Sequence, residues 1–224
     1  MSRQSRGKKG EAKVSKVLKG IPGTHFVFDD VTLVNASSEM THQIDHILIH
    51  PHGLFVIETK NYFGELEYDE AEKTWYKTIR GKRARISSPL RQNKSHAITL
   101  RKALKSKFKP IPVVVFVRDN APYIPDENVI NLSDLALFVD SYPYPKLLAS
   151  EEMEEAKRLI EACIVAVSNR EHVQNIGIMK RVRKEAEAEM AYAIEQGRCP
   201  RCENKMIVEG YSYHCSHCDF HFKL

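Results

Sequence analysis

Two short apolar runs, Ile47-Leu48-Ile49 and Leu54-Phe55-Val56-Ile57, flank His50-Pro51-His52-Gly53. Runs of this length around Pro and Gly predict a hairpin of strands, Asp45 to Ile49 and Leu54 to Lys60. Ile111-Pro112-Val113-Val114-Val115-Phe116-Val117 is apolar throughout, which predicts a strand covered on both faces. Val14, Val17 and Leu18 instead follow helical spacing behind Gly10-Glu11, and another helix is expected to begin near Pro89. The pattern further predicts a strand from Thr74 to Ile79, an edge strand near Asn128 to Leu132 and a brief helix from Ser133 to Val139. From Ser150 to about Ser168, a capped helix with an acidic first turn is expected to pack through Met153, Ala156, Leu159, Ile160, Cys163 and Val167. Val173 to Gln196 is more polar and reads as a further helix, ended by Gly197.

The second early run ends in charge. Glu58 and Lys60 are two residues apart, so they project from the same face of a strand, and Asp45 can face them from the neighbouring one. Charges beside apolar strands are costly unless they pair or hold a metal. Carboxylate oxygens suit Mg²⁺ or Mn²⁺ better than zinc or copper. Such an ion polarises a phosphoryl oxygen and positions hydroxide, with Lys60 orienting water or neutralising developing charge. A solvent-facing ion pair at a strand end fits the same residues.

A longer stretch narrows the choice. Asp45-His46-Ile47-Leu48-Ile49, Gly53 through Asn61 and Gly64-Glu65-Leu66 together resemble the nuclease-related domain, NERD, of the PD-(D/E)xK nuclease superfamily. Gly10-Glu11 resembles the opening of that family's first helix, and Ser88-Pro89-Leu90-Arg91-Gln92 its later proline-glutamine motif. The resemblance covers roughly residues 7 to 120. Ile44 stands where the superfamily has a nominal proline, a position without chemistry. The resemblance implies an α/β, restriction-endonuclease-like mixed central sheet flanked by helices. It also implies a divalent metal held by Asp45 and Glu58, catalytic support from Lys60, and auxiliary roles for Glu11 and Gln92. Glu11 in a first helical turn also suits the helix dipole alone. Gln92 and His96, four residues apart, share a helix face, with His96 expected to pack or cap. His42, His46, His50 and His52 are read as incidental or substrate-facing.

Cys199-Pro200-Arg201-Cys202 and Cys215-Ser216-His217-Cys218 form a second motif. Paired Cys-x-x-Cys turns predict a tetrahedral structural Zn²⁺ site in a zinc ribbon, because so short a segment lacks the apolar surface to fold alone. The module resembles topoisomerase-type zinc ribbons, although its last cysteine pair is tighter. Tyr211, Tyr213, Phe220 and Phe222 are candidates for base stacking, with Arg198, Arg201, Lys205 and Lys223 on phosphates; the aromatics equally fit the ribbon's own core. The ribbon could instead dock a DNA-processing protein.

Charge changes the picture further. The net charge is +5, yet from Lys73 through Lys109 there are thirteen Lys or Arg and no Asp or Glu, an arrangement that predicts a polyanion-binding surface. Lys77, Arg80, Lys82, Arg83, Arg85, Arg91 and Lys94 are the candidate phosphate contacts, with Trp75 and Tyr76 among them, and DNA is favoured over RNA. Lys82-Arg83-Ala84-Arg85 reads as a hairpin tip. No apolar run reaches the roughly 20 residues of a membrane span, and Ser2 to Lys9 is too polar for a signal peptide, so a cytoplasmic protein is expected. The organisation expected is a flexible basic arm at 1–9, a nuclease-like core at 10–170, a helical spacer at 171–197 and the ribbon at 198–224. The reading is a metal-dependent DNA nuclease; a catalytically silent nucleic-acid-binding or partner-docking module with the same fold is the alternative.

Overall fold

A computed structural model describes residues 3–34, 41–124, 127–143, 147–164, 177, 181, 184–185, 187–210, 212–218 and 220–223. The chain divides into two compact units, 1–167 and 168–224. The first is a mixed α/β unit around a five-stranded sheet.

In chain order its elements are α1 (Arg3–Lys19), β1 (Phe26–Val34), β2 (Thr41–His50), β3 (Gly53–Lys60), β4 (Glu65–Asp69), β5 (Thr74–Ile79) and β6 (Lys82–Ile86). They continue with α2 (Pro89–Ala103), β7 (Ile111–Phe116), β8 (Val129–Asn131), α3 (Leu135–Asp140) and α4 (Ser150–Cys163). The central order is β1-β2-β3-β7-β8, while β4-β5-β6 form a separate sheet. β1, β2 and β3 are antiparallel neighbours, whereas β3, β7 and β8 run parallel. The predicted hairpin is β2–β3, paired from His50↔Gly53 to His46↔Ile57.

Layers cover both faces. Ile47, Ile49, Leu54 and Val56 pack with Ala97 and Leu100 of α2 and Met153, Ala156 and Ile160 of α4. Leu48, Phe55, Ile57, Val113 and Val115 pack with Val14 and Leu18 of α1 and Leu135 and Val139 of α3. Burial on both sides is why β3 and β7 read as unbroken apolar runs.

The alternation of side chains slips once. Phe26, Phe28, Val31 and Leu33 of β1 all serve the same core, as do Ile44, Ile47 and Ile49 of β2. Strict alternation cannot place odd and even positions on one face. The slip coincides with Asp30, whose φ is 54°, so the ladder is distorted beside Asp45.

Asn93 fastens α2 to the sheet. It is 1% exposed, and its amide donates to the carbonyls of Val56 (2.9 Å) on β3 and Val113 (2.8 Å) on β7. Asn93→Ala is expected to destabilise the first unit by about 2–4 kcal/mol, from lost hydrogen bonds and a cavity. A urea midpoint matching the parent chain would refute this.

Several expectations change. Residues 3–9, expected as a flexible arm, lie in α1. Tertiary contacts hold this turn, since the Asn61 side-chain amide donates to the Arg6 carbonyl at 2.9 Å. Gly10 allows that approach: a Cβ there would stand 3.0 Å from the Asn61 Cβ. β1 was not anticipated. Trp75 is not a surface reader, because it is 1% exposed and stacks on Phe116, ring centroids 6.0 Å apart, joining the small sheet to β7. The β5–β6 tip is Arg80-Gly81, both at positive φ (49° and 74°), so Lys82 to Arg85 form the strand and not the tip. The cap of α4 is Ala149, whose N–H donates to Glu152 (2.8 Å), and Ser150 lies inside the helix. α4 ends at Cys163, which is half-buried, and Val167 lies outside the described residues. Residues 173–176, 178–180, 182–183 and 186 lie outside them too, while 187–195 are helical.

In the second unit β9 (Met206–Glu209), β10 (Ser212–Cys215) and β11 (His221–Lys223) form an antiparallel sheet of order β11-β10-β9.

Candidate functional site

β3 carries Glu58 and Lys60 to its C-terminal end. Carrying the β2–β3 register one step past His46↔Ile57 sets Asp45 opposite Glu58, where the distorted ladder opens. Instead of closing the ladder, the Thr59 N–H donates to Asp45 Oδ2 at 2.8 Å. Lys60 Nζ lies 2.5 Å from Glu58 Oε1 and donates to Gln92 Oε1 at 3.1 Å. His96, on the same face of α2 as Gln92, holds Nε2 3.6 Å from Glu58 Oε2. α2 is aimed by its own signals: Ser88 caps it by accepting the Arg91 N–H (3.2 Å), and Pro89 occupies the first turn.

Burial shapes the electrostatics. Glu58 is only 3% exposed. Burial, reinforced by the Glu58 carboxylate, pushes the Asp45 carboxyl up to about 6, against the Thr59 hydrogen bond and Lys60. Glu58 is raised by burial and by Glu11, with Lys60 opposing. Glu11 on α1 is raised by burial, then by Asp45 and Asp30. Burial pushes the Lys60 ammonium down, but Glu58, Tyr62 and Asp45 outweigh it and hold the pKa above that of an ordinary lysine. One ammonium therefore faces several crowded carboxylates.

The sign of the consequence follows from linkage. A carboxyl whose folded pKa lies above its unfolded value binds more protons when folded, so stability falls as pH rises from about 4 to about 6. Asp45→Asn is expected to stabilise the metal-free protein at pH 7 by about 2 kcal/mol and to flatten that slope. Thermal melts across pH check it; a variant less stable than the parent at pH 7 would contradict the raised pKa.

His46 does something the sequence did not reveal. It is 1% exposed, with Nδ1 2.7 Å from Asp29 Oδ1 and Nε2 3.2 Å from Thr59 Oγ1. Burial pushes Asp29 up, but hydrogen bonds from Lys19, His46 and Ser15 outweigh it, and its carboxyl titrates below the usual range. The reading of His46 as incidental or substrate-facing is thereby corrected: it braces Thr59, the residue between Glu58 and Lys60. The other histidines do not join it, and His50 and His52 stay together at the β2–β3 turn with ring centroids 5.3 Å apart. His42 meets His96 edge-on (5.5 Å), and His52 Nδ1 lies 3.2 Å from the Tyr142 carbonyl oxygen.

These contacts lie within the segment matched by the family model described as nuclease-related domain, NERD, which spans residues 6–117, half of the chain. The chain belongs to the NERD family. An uncharacterized protein of Bacillus anthracis is 27% identical over 166 residues, covering 71% of this chain and 78% of the relative. No solved structure matches the chain at a significant level. The NERD segment runs from α1 through β7 and so contains Glu11, Asp45, Glu58, Lys60 and Gln92, while α3, α4 and the second unit lie beyond it. Gly64 of the NERD-like Gly-Glu-Leu sequence has a physical reason: its φ is 90°, and a Cβ would fall 2.2 Å from the Thr78 carbonyl oxygen.

Among the described residues, one group of three or more His, Cys, Asp or Glu converges tightly enough to hold a metal. It is Cys199, Cys202, Cys215 and Cys218, with ligand atoms within 4.8 Å of one another. Sulfur separations of 3.6 Å (Cys199 to Cys218), 3.5 Å (Cys202 to Cys215) and 3.6 Å (Cys202 to Cys218) approach the roughly 3.8 Å edge of a tetrahedron with metal–sulfur bonds of about 2.3 Å. The N–H groups of Arg201 and His217 donate to the sulfurs of Cys199 (3.4 Å) and Cys215 (3.3 Å), which favours thiolates. Asn204 pulls the Cys202 thiol down to about 6. At Cys218 the Phe220 backbone hydrogen bond lowers the thiol, but burial and the Cys199, Cys202 and Cys215 sulfurs outweigh it and push the thiol up to about 12. Tyr213 and Phe220 pack on this cysteine core. Tyr211 and the Lys223 side chain lie outside the described residues.

The acid-free segment is not acid-free in space. Arg83 makes a two-pronged pair with Glu67 (3.0 and 3.2 Å) and stacks 3.4 Å over Tyr76, Lys94 pairs with Glu127 at 2.5 Å, and Lys107 with Glu155 at 2.5 Å. Arg83 and Lys94, expected as phosphate contacts, are therefore partly committed to these acids. Lys77 lies 5.1 Å from the Tyr62 ring and, with Arg80, lines a cleft that includes Lys60. No helix of the described residues is long and apolar enough to cross a membrane.

Proposed function

We propose that this chain is a Mg²⁺- or Mn²⁺-dependent nuclease that hydrolyses DNA phosphodiester bonds. The observation that carries the reading is the excess of buried carboxylate over cation where β2 and β3 part. Burial raises both Asp45 and Glu58, and the Glu58 carboxylate raises Asp45 as Glu11 raises Glu58, in a setting that one ammonium does not neutralise. This donor set, two buried carboxylates with Glu11 close enough to act on Glu58, has the oxygen chemistry of a hard ion that keeps most of its waters. Bound there, the ion would supply Lewis-acid polarisation of the phosphoryl oxygen and a more acidic water.

The chain's own residues do the rest. Asp45 and Glu58 are the ligands, with Asp45 held by the Thr59 N–H. Lys60, anchored between Glu58 and Gln92, orients the attacking water or offsets charge as the phosphate becomes pentacovalent. Glu11 adds negative potential from α1, and Gln92 fixes the ammonium. Arg80, Lys82, Arg85, Arg91 and Lys77 supply backbone contacts that carry affinity but little sequence information. In the second unit the four cysteines hold a structural Zn²⁺, and the ribbon is a candidate reader of DNA or of a DNA-processing protein. Incubation with linear, circular and single-stranded DNA tests the reading. Cleavage is expected with Mg²⁺ or Mn²⁺ and not without them, and tight binding with no turnover under either metal would favour the silent binding module.

A further inference from the structure

Beyond β3 the chain passes Lys60-Asn61-Tyr62-Phe63, and two clefts open beside it. One, of about 900 Å³, has Lys60, Tyr62, Lys77 and Arg80 in its wall. The other, of about 410 Å³, is lined by Lys9, Lys13 and Arg118. Arg6, Asn61 and Phe63 border both, so the two clefts meet at Phe63.

Phe63 is 46% exposed, an unusual position for a large apolar ring amid cations. The Arg118 guanidinium lies 3.4 Å from its ring centroid and is held there by Asn61 Oδ1, which accepts the Arg118 Nε–H at 2.9 Å. Arg6 approaches the same ring at 5.9 Å. The acid of the smaller cleft, Asp119, accepts hydrogen bonds from the N–H and hydroxyl of Ser133, which ties it to that neighbour. The preceding aromatic, Tyr62, has Lys77 at 5.1 Å and Lys60 at 6.0 Å. Two consecutive aromatic rings thus each carry cations from separate elements. Phosphates would meet the cations, and base faces the ring and guanidinium planes.

We propose that the Phe63–Arg118 platform binds an unpaired DNA segment leaving the Lys60 site, so that the substrate is single-stranded or carries a single-stranded tail. This deepens the nuclease reading and rests on it for placing the reacting phosphate beside Lys60. A duplex satisfies the cations equally well, but its bases are already stacked and offer no free faces to Phe63. Arg6 and Lys9 fall in the stretch expected as a basic arm, whereas Lys13, Phe63 and Arg118 did not stand out in the sequence; the five come from α1, the segment after β3 and the turn after β7.

Binding measured without Mg²⁺ or Mn²⁺ separates this inference from catalysis. The single tryptophan, Trp75, is buried, so Phe63→Trp adds an exposed reporter to a constant background. A short oligothymidylate is expected to quench the added emission, and a blunt duplex of equal phosphate number is not. Phe63→Ala should weaken oligothymidylate binding about tenfold while changing duplex affinity by less than about twofold, and Arg118→Ala, which also removes a phosphate-facing cation, should weaken both ligands but oligothymidylate the more. Equal weakening for both ligands, or unquenched Phe63→Trp emission with bound oligothymidylate, would overturn the platform. Absence of cleavage alongside Phe63-dependent single-strand binding would sink the nuclease reading and leave the platform standing.

Discussion

Glu58→Gln is expected to reduce metal-dependent DNA cleavage by at least about 100-fold, and Lys60→Met to do the same, while both proteins stay folded. The two substitutions act differently. Gln keeps the volume of a side chain that is 3% exposed, but removes one of two ligand charges, so Mn²⁺ affinity measured by calorimetry should fall together with the rate. Met keeps the length of Lys60 and removes the ammonium, so Mn²⁺ affinity should hold or rise while turnover collapses. Removing Lys60 also leaves Glu58 without its 2.5 Å partner, which should cost metal-free stability about 3 kcal/mol near neutral pH. Added Mn²⁺ should restore most of that loss. Cleavage by both folded variants at the parent rate would remove the assignment of the site.

Loss of metal from the second unit should be as decisive. Its buried core comprises Cys199, Met206 and Cys215, with Tyr213 and Phe220 packed against it, far too little apolar surface to hold a fold. A four-thiolate site contributes apparent binding energy of about 10–16 kcal/mol, so chelation or Cys215→Ser should unfold β9 to β11 outright. The first unit has its own two-sided core and should melt unchanged. Zinc release of one ion per chain, followed alongside amide protection in each unit, checks both halves. Joint melting of the two units would show that the first depends on the metal.

Much of the site was legible because its signals are local. Glu58 and Lys60 share a face through the strand period of two, Gln92 and His96 share one through the helical period, and each cysteine pair closes its own turn. Ser88 and Pro89 mark the start of α2 before any contact is known. The bracing of Thr59 was not legible, since it joins Asp29 of β1 to His46 of β2 across a ladder whose alternation slips at Asp30. Nor could Asn93 be picked out from neighbouring polar residues of α2, because its two acceptors are carbonyls on β3 and β7.

The basic stretch shows the same division more sharply. By itself the sequence determined the strand hairpin, the carboxylate and lysine spacing, the buried β7 and the paired cysteines, because short-range periodicity and turn chemistry dictate them. It also determined that thirteen cations from Lys73 to Lys109 stand without an acid among them. Only the tertiary structure decided that Glu67, Glu127 and Glu155 return to pair with Arg83, Lys94 and Lys107, and that Trp75 enters the core. It likewise decided that Arg6 and Arg118 meet at Phe63. Charges and rings find distant partners through packing, and chain spacing does not encode which distant segments packing brings together.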